Sequence, residues 1–275
     1  MPQQDLRKHF EEHGWVLIKG LFSKEEVAQW RKDLRKSIDE GIKGDILSNP
    51  YLHQLVYDDR IIKALKEVID GTPVYSGDGN YLWNNKQWGY HKDVPDREDQ
   101  KAPDWLGPYT VVRSGIYLQD TTHSSGGLLL RDKSHNTISI NEGKPFNVPL
   151  EIGDFVIWNL RTTHSGHTKL FKVFSKYMVN PKYYRLFPQF FFVPDKTERA
   201  AIFLTYARED KHLNRYLKYL LSRVSSVKYI QNSIYNPEVL KEAEKHGLKV
   251  IDMRTEEVLK LNPEDLNLHH KDIPY

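Results

Sequence analysis

Over its first forty residues the chain alternates apolar and polar positions in a way that predicts helix, strand, helix. Leu6 and Phe10, with polar residues between them, precede the short apolar run Trp15 to Ile18. Ser23 followed three positions later by Glu26 is a capping-box signature. Val27, Trp30, Leu34 and Ile38 then recur at helical spacing, so one face packs inward while Arg31, Lys32, Arg35 and Lys36 stay in water. From about Val74 to Leu160 the pattern changes to short β-rich runs (Asn80 to Trp83, Val111 to Leu118, Gly127 to Leu130, Phe155 to Asn159) punctuated by glycine, proline, asparagine and aspartate. Short strands with turn signals between them predict a sandwich or jelly-roll barrel rather than a parallel sheet with crossover helices. Two further β-like runs, Phe190 to Val193 and Ala200 to Tyr206, bring the core to a close near residue 208. Beyond it Leu213, Tyr216, Leu217, Leu220, Leu221 and Val224 share one helical face, and Asn236, Pro237 and Gly247 bracket another helix. The expected organisation is a mainly β core with flanking helices over residues 1–208 and a helical extension over 209–275 packed on it.

Composition narrows the chemistry. The chain of 275 residues is 39% hydrophobic, enough for one large core. Charged residues make up 28%, the net charge is +3 and the pI about 8.7. These basic residues are scattered, which does not describe a nucleic-acid binder; Lys169, Lys172, Lys176, Lys182 and Arg185 are the local cluster able to attract an anion, or simply a solvated lysine-rich surface. With no cysteine, disulfides, thiolate metal sites and cysteine nucleophiles are excluded, and any metal must be held by histidine and carboxylate. The N-terminus has no apolar signal region and no stretch approaches membrane-spanning length, so a cytoplasmic location is expected.

A non-haem iron site needs two histidines and a carboxylate on one face of the metal, leaving the other positions open for a chelating co-substrate and O2. In an extended segment His91 and Asp93, one residue apart, point to the same side. A second such triplet, His270 and Asp272, lies near the end of the chain. Context separates the two. After His91 and Asp93 come a β run ending in Gln119-Asp120, a glycine turn (Ser125-Gly-Gly-Leu-Leu-Leu) and Ser134-His135. Gly153-Asp154 then feeds an apolar strand leading to Thr163-His164-Ser165-Gly166. That order delivers His164 to the mouth of a barrel as the third ligand. His167 lies past the Gly166 turn, and His123 and His135 read as loop and turn residues.

These motifs resemble the phytanoyl-CoA dioxygenase family of Fe(II)- and 2-oxoglutarate-dependent oxygenases. The likeness covers most of residues 10–206: Gly14-Trp15-Val16, Ser23-Lys24-Glu25-Glu26, His91-Lys92-Asp93, Leu118-Gln119-Asp120, Gly127-Leu128 with Ser134-His135, and Gly153-Asp154 to His164-Ser165-Gly166. It implies a double-stranded β-helix (jelly-roll, cupin-like) core and Fe(II) held by His91, Asp93 and His164. It also implies a reaction in which 2-oxoglutarate and O2 give succinate and CO2 while a small molecule is hydroxylated. Halogenating relatives replace the carboxylate by a small residue, so Asp93 points to hydroxylation or a related oxidation. In the family an arginine at the start of the strand after the second histidine grips the far carboxylate of 2-oxoglutarate, a task suited to the planar guanidinium fork. Arg199 fits that place, with Arg185 as competitor because the connection over residues 168–197 is longer than usual. Gln119 and Tyr81 are further candidates for the co-substrate, and Arg113 and Trp83 lie on strands expected to line the cavity. The aromatic insert at 168–197 is expected as a lid, with an added sheet edge or a dimer contact as alternatives. Two other readings stay open: a catalytically silent jelly-roll binding module, and a cupin-like metal enzyme that does not use 2-oxoglutarate. The substrate class is not fixed; anionic and saccharide-like molecules are both compatible. The expected state is monomer or homodimer, without nucleic acid.

Overall fold

The structure is a computed structural model that describes residues 5–84, 89–173, 178–195 and 197–266. Helix α1 (Leu6–His13) is capped by Asp5, whose carboxylate accepts from the Lys8 amide at 2.9 Å, and it ends at Gly14 in the left-handed region. A side chain at Gly14 would strike the His135 ring, and its carbonyl accepts from Asn159 N and Thr162 Oγ1. This close approach ties strand β1 (Trp15–Ile18) to the segment that carries His164. The capping box expected at Ser23 and Glu26 is present at the start of α2 (Lys24–Asp39). Helix α3 (Asp59–Ile69) escaped the sequence reading, although Asp58 as cap with Ile61, Ile62, Leu65, Val68 and Ile69 was signal enough to find it.

The core is a double-stranded β-helix whose two sheets are not closed. The larger sheet contains β2 (Pro73–Trp83), β3 (Val112–Tyr117), β6 (Phe155–Asn159), β8 (Ala200–Arg208) and β9 (Lys249–Val250), in the order β1-β6-β3-β8-β2-β9. The smaller sheet has the order β5-β4-β7, from β4 (Leu129–Asp132), β5 (Lys144–Asn147) and β7 (His164–Ser165). Pairing is antiparallel except between β2 and β9, so the C-terminal extension contributes an edge strand to the main sheet. Strand parity sorts the side chains. Phe155, Ile157, Ile202 and Leu204 pack under the helices, whereas Val156, Trp158, Ala201 and Phe203 face the smaller sheet. Gly153 adopts φ +98° and its carbonyl accepts from Phe22 N; a Cβ there would collide with Phe22 O. Asp154 beside it accepts from Gly20 N, Lys19 Nζ and Glu151 N, which locks the entry to β6.

Two elements differ from expectation. Phe190 to Val193 is a 3-10 turn (Gln189–Phe191) with one isolated bridge from Phe192 to Phe171, because Pro188 and Pro194 bracket the run and withhold ladder donors. The long helical face ending at Val224 is divided at Ser222 and Arg223 into α4 (Lys211–Leu221) and α5 (Val224–Asn232); the Ser222 hydroxyl donates back to Tyr219 O at 2.7 Å. Helices α6 (Pro237–Lys245) and α7 (Glu256–Lys260) follow. Among the described residues no helix is long and apolar enough to cross a membrane.

Candidate metal centre

His91 and Asp93 lie on a segment that runs beside the small sheet. His91 and His164 exchange both backbone hydrogen bonds, 3.0 and 2.9 Å, and the Asp93 amide donates to Leu160 O at 2.9 Å. The pairing brings two residues 73 positions apart in sequence into ring contact, with centroids 4.2 Å apart. His164 Nε2 lies 3.5 Å from Asp93 Oδ2 and His91 Nε2 3.9 Å from Asp93 Oδ1. One donor atom from each of the three falls within 4.8 Å of the others, and among the described residues no other cluster of this kind occurs. His270 and Asp272 lie outside the described residues.

Both imidazoles are aimed by their own backbone. His91 Nδ1 sits 3.2 Å from Gly89 O and His164 Nδ1 3.1 Å from Thr162 O. A carbonyl only accepts, so these contacts put the proton on Nδ1 and turn the Nε2 lone pairs toward Asp93. Burial lowers the pKa of His91, and burial together with the neighbouring His91 ring holds His164 down to about 3; both are neutral donors. Burial pushes Asp93 the other way, but His164, Arg113 and His91 outweigh it and keep the carboxyl below its usual range. Two neutral imidazoles and a carboxylate suit a divalent first-row metal with open positions. Lys92, between the ligands, points to the opposite side: its buried ammonium donates to Ser134 O and Arg161 O, both at 2.7 Å, and staples the segment to the turns around it.

The triad opens on a cavity of about 310 Å³ whose walls include Leu82, Arg113, Tyr117, Trp158, Arg199 and Phe203. Arg199, the residue before β8, is buried; its Nε donates to Gly126 O at 3.1 Å and its guanidinium lies 5.7 Å from the Tyr117 ring centre. Arg185 is exposed on a 3-10 turn and does not reach this cavity. Two candidates fall elsewhere. Tyr81 sits on the opposite face of β2 from Asn80 and Leu82, packs with the helical layer and directs its hydroxyl to Ile42 O at 3.4 Å. Gln119 lies past the end of β3, and its carbonyl caps Ala200 N at 2.8 Å. Trp83 likewise points outward, beneath Arg31 and Arg35. His123 is exposed, His135 contacts Glu11 O, and His167 pairs with Asp195 at 3.3 Å, so none of the three joins the cluster.

Two features were missed by sequence reasoning. Arg113 forms an ion pair with Asp78 at 2.7 Å and approaches Asp93 to 3.7 Å; Tyr216 and Thr205 also donate to Asp78, at 2.5 and 2.9 Å. This chain of contacts links α4 to the carboxylate of the triad. Leu220, Arg223, Ser226 and Tyr229 of α4, α5 and their junction also line the cavity, whereas none of the described insert residues does. After Gly166 the chain turns away: Thr168 exchanges backbone hydrogen bonds with the loop before β4, and the described insert residues wall a separate cleft of about 510 Å³.

Comparison with known proteins agrees with this architecture. No family model matches the chain, and a search of curated proteins finds no match either. Solved structures do match. HygX from Streptomyces hygroscopicus, crystallised with nickel and 2-oxoglutarate bound, is 15% identical over 76% of this chain and 88% of that one, with a TM-score of 0.54. AviO1 from Streptomyces viridochromogenes Tue57 is 16% identical over 74% and 94%, TM-score 0.52. SnoN, a non-heme alpha ketoglutarate dependent epimerase from nogalamycin biosynthesis, is 15% identical over 73% and 80%, TM-score 0.51. At such identities the likeness is one of fold.

Proposed function

We propose that this chain is a non-haem Fe(II)- and 2-oxoglutarate-dependent oxygenase of the phytanoyl-CoA dioxygenase type, acting on a small molecule. The observation that carries the reading is the convergence of His91, Asp93 and His164 at one end of a cavity that also holds a buried arginine. Iron and 2-oxoglutarate fit the residues present: two neutral imidazoles and a carboxylate for the metal, and the Arg199 fork for the far carboxylate of the co-substrate. Bound iron supplies the O2 activation and hydrogen abstraction that no side chain can perform.

The chain's own residues then have definable tasks. His91, Asp93 and His164 hold the metal on one face and leave the cavity side open. Arg199, fixed by Gly126 O, orients 2-oxoglutarate, and Leu82, Leu128 and Phe203 keep that pocket dry. Helices α4 and α5 form the substrate wall. Asp93 supports hydroxylation over halogenation, since no site is left for halide. SnoN, the epimerase, shares the fold, so the outcome of hydrogen abstraction rests on how the substrate is placed.

Anaerobic addition of Fe(II) and 2-oxoglutarate is expected to produce a weak visible charge-transfer band that His91→Ala abolishes, with slow succinate formation in air without substrate. Wild-type protein that binds neither would favour a silent binding module.

A further inference from the structure

Independently of the oxygenase reading, we infer that the insert between β7 and β8 is a docking surface for an anionic lipid membrane. Residues 168–195 contain five Lys or Arg and one Asp, a net charge of 5 − 1 = +4; the rest of the chain carries 35 − 36 = −1. The cationic character of this protein is therefore concentrated in one segment. The same segment holds five of the nine exposed large hydrophobic residues found among the described residues: Val173 (78% exposed), Leu186 (74%), Phe190 (67%), Tyr183 (44%) and Phe191 (44%).

Several aromatic side chains of the segment pack on one another. Phe171 and Phe192 form an antiparallel bridge with ring centres 4.6 Å apart, and Phe187 and Tyr184 close on them at 5.1 and 5.8 Å. Phe190 and Phe191 stack on each other at 4.4 Å, and the Lys172 amide donates to Phe191 O at 2.9 Å, which sets a lysine beside them. Lys182 lies over the Tyr183 ring at 4.8 Å, and Arg185 is exposed next to Leu186. Exposed aromatic and aliphatic tips interspersed with exposed Lys172, Lys182 and Arg185 match the interfacial layer of an anionic bilayer, where rings enter the headgroup boundary and cations meet phosphate and carboxylate. The one acidic residue of the segment, Asp195, faces His167. An apolar patch without the cations would have suited a protein partner equally.

The test is flotation of the intact protein with phosphatidylcholine vesicles and with vesicles that also contain phosphatidylserine. Wild type is expected to float with the phosphatidylserine vesicles, several-fold more than with phosphatidylcholine alone, and to be released by salt. F190S/F191S and K172E/K182E/R185E are each expected to lower the bound fraction several-fold while leaving metal binding unchanged. Failure of wild type to float on phosphatidylserine vesicles overturns the proposal, whatever the variants do. Flotation that survives F190S/F191S in a folded protein overturns it in favour of diffuse surface charge, and a dimer in solution that F190S/F191S converts to monomer assigns the patch to a second copy of the chain.

Discussion

His91 and His164 are backbone partners as well as candidate ligands: each amide donates to the other's carbonyl, at 3.0 and 2.9 Å. Because main-chain atoms set the distance between the rings, their side chains can be removed without dissolving the scaffold. His91→Ala and His164→Ala should each melt within a few degrees of wild type in chelator. Saturating divalent metal should raise the wild-type melting temperature by about 5 °C or more, and this rise should vanish in both variants. A metal-induced shift that persists in either would sink the assignment.

Arg113 is a positioning residue, since it stands between Asp78 and the triad carboxylate. Replacing it by Gln leaves Asp78 without its cation and Asp93 free to rotate, and such outer partners typically govern metal affinity by about 10- to 100-fold. Calorimetric titration with Co(II) or Ni(II) should show a loss of that size in Arg113→Gln. Tyr216→Phe, which removes one of three donors to Asp78, should show a smaller loss. Equal affinity in wild type and Arg113→Gln would make the arginine a fold element only.

The two arginines are separable by kinetics. Arg199→Ala removes a charge-assisted contact estimated at about 2 kcal/mol, or roughly 30-fold in the 2-oxoglutarate concentration needed for half-saturation. Arg185→Ala, on the exposed turn, should leave that concentration within about two-fold, as surface substitutions usually do. The reverse pattern in succinate release would transfer the role to Arg185.

Asp45 supplies a pH dependence away from the metal. It is fully buried, accepts from Tyr75 OH at 2.5 Å, Gly79 N at 2.7 Å and Leu47 N at 3.1 Å, and burial raises its pKa to about 6. Between about pH 4 and pH 6 the folded state holds a proton that the unfolded chain has lost, so this group's contribution to stability falls as pH rises through that window, by about 3 kcal/mol. Asp45→Asn cannot ionise. In urea unfolding its deficit relative to wild type should therefore be smaller at pH 7 than at pH 4, and a pH-independent deficit would contradict the assignment.

Periodicity, caps and punctuation were enough to delimit much of this protein. The capping box at Ser23, the Gly153-Asp154 turn, the strands of the β region and the spacing of His91 from Asp93 are local features, and each depends on residues a few positions apart. The identity of the cavity face was not legible. Strands such as Ala200–Arg208 are buried on both sides and read as unbroken apolar runs, so nothing in them told which parity met the metal. Tyr81 and Leu82 differ by one position and end on opposite faces for that reason. Arg199 is already preferred to Arg185 for its place before the last long strand, but the Arg113–Asp78–Tyr216 chain and the part of the cavity wall given by α4 and α5 arise from contacts between residues tens to more than a hundred positions apart. Such contacts exist once sheet register and helix packing are set, and no local pattern encodes them.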